Sequence, residues 1–348
     1  MKIDLNRSGL VLLLVITIAF SALPQTHTRE IAPPQEPNKT GNEHEGSSSK
    51  VDDVVKVETD LVTTLFTAVD KERRFVTNLR AEDVRISENG VAQDVSLFER
   101  ETDRPLSIVI LVDASKSQER TIPEERRAAK RFVNAVVRPD RDHVAVVSFT
   151  GEPKVELPPS NDLVRINAAI DGLVIGMPPE GCNADILSSE DLRCYTGIWD
   201  AVDASTKGLS RVTGKESRRV IILLTDGDDT SSKTPRDDAI KAAVSNDIVI
   251  YGIGVGDPEL YKIERGSLKK LAEKTGGRAF FPDEGMDLDA AFAQIQEEMR
   301  SQYVIAYSPK NKARDGSYRK VKLEIVTREM KQRKLRLLHR EGYYAKTN

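Results

Sequence analysis

The feature that most limits what this chain can fold into is a set of short, almost continuously apolar runs: Ser107 to Val112, Val144 to Phe149, Val220 to Leu224 and Ile248 to Val255. A strand with one wet face alternates apolar and polar residues, whereas a strand covered on both faces does not. The segments between the runs carry a helical period instead. "PEERRAAKRFVNAVV" places Ala129, Phe132, Val133, Val136 and Val137 on one face, "DLVRINAAIDGL" does the same with Leu163, Ile166, Ile170 and Leu173, and "DLDAAFAQIQEEM" with Leu288, Ala291, Phe292 and Ile295. Alternating strands and helices predict a doubly wound, mostly parallel α/β sheet over residues 105–300. Helix-start signals agree: Thr121 with Glu124 reads as a capping box, and Thr234 before Pro235 as a cap followed by a first-turn proline.

The flanks have a different texture. Residues 51–104 hold short alternating runs, "VVKVETDLVTTLFTAV", "DVRISE" and "DVSLFER", separated by "ENG"-type turns. Residues 301–348 return to the same texture in "QYVIAYSP", "YRKVKLEIV" and "KLRLLHREGYY". The later strands could be added edge strands, but the first flank is too short to close a sandwich alone, so the two flanks are expected to pair as a small β-sandwich-like domain. Lys310 to Lys346 has 13 basic and 4 acidic residues. Its alternation along strands fits a solvated sheet face rather than a polyanion site.

The first residues carry Lys2 and Arg7, an apolar run from Gly9 to Phe20, and small residues after it. This layout predicts a secretory signal peptide over residues 1–23, cleaved near residues 21–25, because the run is well short of the roughly 20 residues that span a bilayer. No later run is apolar enough to span, so the mature chain is expected to be exported, periplasmic or extracellular, without a transmembrane segment. Residues 24–50 are polar and proline-rich and read as a disordered linker. Export allows Cys182 and Cys194, the only two cysteines, to form a disulfide. The formal charge of -3 over 348 residues offers no whole-chain attraction for nucleic acid.

The polar residues that end the buried strands carry the chemistry. Asp113, Ser115 and Ser117 directly follow the first run in "LVDASKS", Asp226 follows the third in "LLTDGDD", and Thr196 stands before a helical pattern in "CYTGIWDAV". Ligands of open α/β sheets bind at the carboxyl ends of the strands. Two carboxylates and three hydroxyls from three loops thus meet on one rim. Hard oxygen donors of this kind suit Mg²⁺, Mn²⁺ or Ca²⁺ rather than zinc or copper.

"DASKS", Thr196 and "TDGDD" together resemble the metal-ion-dependent adhesion site of the von Willebrand factor type A (VWA) domain, whose pattern is Asp-x-Ser-x-Ser, then Thr, then Asp. The resemblance spans residues 105–300, and "EDVRISENGVAQDVSLFER", "RSQYVIAYSP" and a late "GYY" look like an exported bacterial VWA-related group. It implies Ser115 and Ser117 as direct ligands, Thr196 as direct when a partner is bound, and Asp113 and Asp226 as water-mediated. It also implies a last coordination position filled by an acidic side chain of a partner protein. Hydroxyls and waters leave such an ion under-neutralised, which is why it still attracts an external carboxylate. Two positions depart from the pattern: Lys116 stands where glycine is usual, and Gln118 where an apolar residue is.

The expected function is therefore a non-enzymatic, adhesive binding module. One alternative is a metal-dependent hydrolase or phosphotransferase using Asp113. It lacks support from a GxSxG elbow, a phosphate-binding glycine loop or histidine motifs, since His27, His44, His143 and His339 are scattered. A second alternative is a metal-free scaffold, suggested by Lys116 alone.

Overall fold

The computed structural model describes residues 61–100, 104–176, 196–214, 216–256, 262–282 and 287–347. The expected signal peptide, the linker and both cysteines lie outside the described residues. Among the described residues, no helix is long and apolar enough to cross a membrane.

The N-terminal flank supplies β1 (Val62–Val69), β2 (Val84–Glu88), β3 (Val91–Ala92) and β4 (Val95–Arg100). Asn89 and Gly90, at φ 48° and 82°, close the β2–β3 hairpin. Positive φ at both central residues is what a tight two-residue hairpin requires, and Asn-Gly meets it at least strain.

The α/β region follows as β5 (Leu106–Asp113), α1 (Ile122–Val136), β6 (His143–Phe149), β7 (Pro153–Ser160), α2 (Leu163–Asp171) and α3 (Ile198–Val212). It continues with β8 (Arg218–Thr225), α4 (Arg236–Ser245), β9 (Ile248–Gly254), α5 (Arg265–Thr275), β10 (Ala279–Phe280) and α6 (Leu288–Arg300). The sheet order is β10-β9-β8-β5-β6-β7, parallel throughout except for β7, which runs antiparallel to β6 at one edge. β5 is flanked on both sides: Ile110 lies opposite Val146 of β6 and Ile222 of β8.

Each face of β5 meets a different helical layer. Ile108, Ile110 and Val112 pack with Phe132 and Val133 of α1, Ile170 of α2, and Phe292 and Ile295 of α6. Val109 and Leu111 pack with Val202 of α3, Ile240 of α4 and Leu268 of α5. Every residue of β5 is buried, and each large aliphatic side chain so buried contributes roughly 1.5–3 kcal/mol. That two-sided burial is the physical reason the run is continuously apolar.

Helix starts differ from the sequence reading in detail. Thr121 makes no side-chain cap on α1. Its hydroxyl donates instead to the carbonyl and side-chain oxygens of Gln118, at 3.1 and 3.0 Å. Pro235, rather than Thr234, is the N-cap residue of α4.

Two residues after α6 the chain enters β11 (Tyr303–Tyr307), then β12 (Tyr318–Ile325), α7 (Arg328–Gln332), β13 (Arg336–His339) and β14 (Gly342–Tyr344). The flanks build two four-stranded antiparallel sheets, β13-β1-β11-β4 and β14-β12-β2-β3. Each mixes strands from before and after the α/β region. Phe66, Ile86, Tyr303, Ile305, Val321 and Leu323 belong to the shared core between them, with the Phe66 and Tyr303 rings stacked at 5.1 Å. Inside this core Glu88 accepts hydrogen bonds from the Tyr307 and Tyr343 hydroxyls at 2.9 and 2.8 Å, and pairs with Arg319 at 3.3 Å.

Candidate functional site

Asp113 is the last residue of β5 and is 0% exposed. Its Oδ1 accepts from the Ser115 amide at 2.9 Å, which turns the chain sharply off the strand. Its Oδ2 accepts from the Thr225 hydroxyl, at the end of β8, at 2.6 Å. The turn places the Ser115 and Ser117 hydroxyl oxygens 3.0 Å apart. Residues Lys116–Gln118 form one 3-10 turn.

Asp226 follows Thr225 directly and is 4% exposed. Its Oδ1 accepts from the Asp228 amide at 3.1 Å, while the Gly227 amide donates to the Thr225 hydroxyl oxygen at 3.1 Å. Gly227 has φ 86°, and a Cβ there would sit 2.8 Å from the Glu264 carbonyl oxygen. Glycine is required by both the backbone angle and the space.

Thr196 reaches the rim from the third loop. Its carbonyl accepts from the Thr230 and Ser231 amides at 2.9 and 3.0 Å, and its amide donates to the Thr230 hydroxyl oxygen at 3.1 Å. Next to it, the Gly197 amide donates to Thr150 at 2.7 Å, and Ala114 is tied in the same way to Phe149. These bonds stitch the loops after β5, β6 and β8 to one another. Asp229 serves α3: its Oδ1 accepts from the Ile198 amide at 2.8 Å, a favourable place for a carboxylate at a helix N-terminus. Trp199 is buried in the core cluster of α3.

The electrostatics of the rim are unusual for a protein interior. Burial pushes the Asp113 carboxyl up to about 7, and the neighbouring Asp226 charge adds to it. Burial raises Asp226 as well, with the Ser117 hydroxyl working against the rise. Lys116 does not relieve this. Its ammonium lies 2.7 Å from Glu119, with both side chains more than half exposed. Gln118, the second departure from the expected pattern, is 0% exposed and well used: its amide donates to Ser117 at 3.2 Å and to the Val255 carbonyl, past β9, at 3.3 Å.

A third carboxylate went unread in the sequence. Glu125, in the first turns of α1, is 1% exposed and neither of its oxygens has a hydrogen-bond partner. Burial pushes it up to about 8; Thr121 offsets a little of this, and the charges of Asp113, Glu124 and Asp226 add to it. The signal was present, since Glu125 stands four residues before Ala129 on the apolar face of that helix.

The donor set suits a hard divalent cation. Asp113 and Asp226 are buried and repel each other, and the paired Ser115 and Ser117 oxygens stand beside them. Among the described residues, no three His, Cys, Asp or Glu side chains are placed to cage an ion. The oxygen donors on offer are thus mixed carboxylate and hydroxyl.

Residues 107–297, more than half of the chain, match the von Willebrand factor type A domain family. The chain belongs to that family. The chain is also 28% identical over 190 residues to a protein named Magnesium-chelatase 67 kDa subunit from Chlorobaculum parvum, covering 50% of this chain and 28% of that one. The chain therefore spans little more than a quarter of that relative's length. Among solved structures, the conserved hypothetical protein BatB from Bacteroides thetaiotaomicron shares 19% identity at a TM-score of 0.44, covering 56% of this chain and 97% of its own. A von Willebrand factor type A protein from Catenulispora acidiphila shares 16% identity at a TM-score of 0.45, covering 79% and 76%.

Proposed function

We propose that this chain is an exported, non-enzymatic binding module that holds a divalent ion, Mg²⁺ in the first instance and Mn²⁺ or Ca²⁺ as substitutes, at Asp113, Ser115, Ser117, Thr196 and Asp226. The ion, when bound, supplies a Lewis-acidic position for a carboxylate of a partner protein. The observation that carries this reading is the pair of buried, mutually repelling carboxylates at the strand ends, with the two serine hydroxyls 3.0 Å apart beside them. A cation removes that repulsion, and hydroxyl donors leave it charge enough to attract an acidic side chain.

The chain's own residues do the positioning. Thr225 and the Ser115 amide fix both oxygens of Asp113, Gln118 holds the Ser117 hydroxyl, and the Thr230 loop holds Thr196. The same bonds speak against Asp113 as a nucleophile, because both its oxygens are engaged and it has no exposed surface. The pairing of Lys116 with Glu119 at the exposed edge of the loop weakens the one feature that suggested a decayed, metal-free scaffold. Export rests on the residues 1–23 pattern alone, and the Cys182–Cys194 disulfide on compartment.

Calorimetric titration of Mg²⁺ and Mn²⁺ into the protein tests the reading. Saturable binding is expected for the parent, loss for Ser117→Ala, and retention within about three-fold for Lys116→Ala. Absence of binding by the folded parent, together with partner capture that ignores chelator, sinks the metal mechanism.

A further inference from the structure

Glu125 is a carboxylate in a place where a carboxylate alone is costly. It is 1% exposed, and among the described residues neither of its side-chain oxygens has a hydrogen-bond partner. Unpaired buried polar atoms are few in native interiors, and each costs at least as much as a lost hydrogen bond. An apolar side chain of the same length would pack without that cost, so packing does not account for the residue.

The helix carries Glu125 to the rim. Ala128, Ala129, Phe132 and Val133 line the face of α1 that packs on the sheet. Glu125 stands three and four residues before the first two, on the same face and at the end of α1 next to the β5 loop. Its turn is tied to the serines. The Glu125 amide donates to the Thr121 carbonyl at 3.0 Å, the Thr121 hydroxyl donates to the Gln118 side-chain oxygen at 3.0 Å, and the Gln118 side-chain amide donates to Ser117 at 3.2 Å. From across the rim, the charges of Asp113 and Asp226 both act on Glu125.

Two ordinary roles do not fit it. An acid in the first turn of a helix commonly accepts from the free amides there, but the Glu125 oxygens accept from none of them, and the exposed Glu124 beside it already supplies a first-turn charge. Direct ligation does not fit either, because among the described residues no three acidic side chains are placed to cage an ion.

We propose that Glu125 is a positioning residue of the metal site, its carboxyl oxygens accepting hydrogen bonds from water on an ion held at Asp113, Ser115, Ser117, Thr196 and Asp226. The role rests on the divalent-ion reading of that rim. A carboxyl oxygen accepts whether or not the group is ionised, so Glu125 can fill the role in either state. Asp113 and Asp226 then face the hydration shell from the strand ends and Glu125 from α1. Outer partners of this kind orient what the ligands hold, and losing one typically lowers metal affinity by about 10–100-fold.

Calorimetric titration of Mg²⁺ into the full chain, for the parent, Glu125→Met, Glu125→Ala and Glu125→Gln, tests this beside urea melts in chelator. Glu125→Met removes the acceptor at nearly equal length. It is expected to melt no lower than the parent in chelator and yet to bind Mg²⁺ about ten-fold or more weakly. Glu125→Gln keeps an acceptor oxygen and is expected to bind within about three-fold of the parent. Loading with Mn²⁺ gives a second readout, since the residence time of ion-bound water, from solvent-proton relaxation, is expected to shorten in Glu125→Met and recover in Glu125→Gln. Glu125→Ala gives the same comparison with a smaller side chain if the longer one disturbs α1. Affinity and water residence equal to the parent's in folded Glu125→Met or Glu125→Ala overturn the inference and leave the metal site standing. A loss in Glu125→Gln as deep as in Glu125→Met overturns the acceptor role. A parent that binds neither ion overturns the metal reading, and this inference with it.

Discussion

Glu88, between the sandwich sheets, and Asp113, at the end of β5, are both buried carboxylates, 3% and 0% exposed. Glu88 is met by the Arg319 guanidinium and by two tyrosine hydroxyls. Asp113 is met by one hydroxyl and one amide and faces a second carboxylate. Removing a charge from water is compensated in the first case by a cation built into the chain. In the second it is left uncompensated. A carboxylate that serves only the fold has its counter-charge in place, whereas Asp113, in the role proposed for it, keeps its charge for a ligand.

The contrast is sharpest in what each loss does. Glu88→Ala leaves Arg319 buried without its partner and is expected to cost about 3–5 kcal/mol, read as a lower urea midpoint. A change under about 1 kcal/mol would show that Arg319 finds equivalent acceptors, and the contrast would fail on the sandwich side.

The pH dependence probes the rim side. The folded pKa values of Asp113, about 7, and Glu125, about 8, lie above their ordinary values of 3.8 and 4.5. The folded chain therefore binds these protons more tightly than the unfolded one. Their stabilising effect is full below about pH 4 and is lost as pH rises through 7 to 8. In chelator, stability is expected to fall by several kcal/mol between about pH 5 and about pH 8. Saturating Mg²⁺ should flatten that fall. Urea melts across the range decide it, and a slope indifferent to Mg²⁺ would separate the carboxylates from the ion.

Asp226→Asn gives the smallest effect, of opposite sign to Glu88→Ala. The Asp228 amide keeps its acceptor and the repulsion with Asp113 disappears. The metal-free chain should gain about 1 kcal/mol and lose any stabilisation by Mg²⁺. Thermal melts with and without Mg²⁺ check both, and destabilisation in chelator would mean the repulsion is already relieved elsewhere.

The α/β architecture was legible because two-sided burial leaves an unbroken apolar record, as in β5, β8 and β9. β7 was not, since "PKVELPPS" holds three prolines that a central strand excludes and an edge strand tolerates. β10, two residues long, is too short to leave a pattern. α5 shows its inner face only through Leu268, Leu271 and Ala272 among lysines. At the rim, Asp113, Ser115 and Asp226 stood out as polar residues directly after apolar runs. Glu125 did not, because its meaning depends on how α1 docks over the strand ends, which no local spacing records. The turn of Lys116 toward Glu119 is likewise a matter of rotamer.

The sandwich strands sit on both sides of the VWA region, and this has a bearing on how the protein is made. Phe66 of β1 pairs with Tyr303 of β11 across nearly the whole α/β segment. During synthesis β1 emerges long before its neighbour exists, so its edges stay open while the intervening sheet is completed. The β2–β3 hairpin closes locally, but the first sheet waits for late translation. The VWA region is thus positioned to fold first, and its completion brings the two halves of the sandwich together. A truncation inside β11 would leave that region's own strands intact and the sandwich without a central strand.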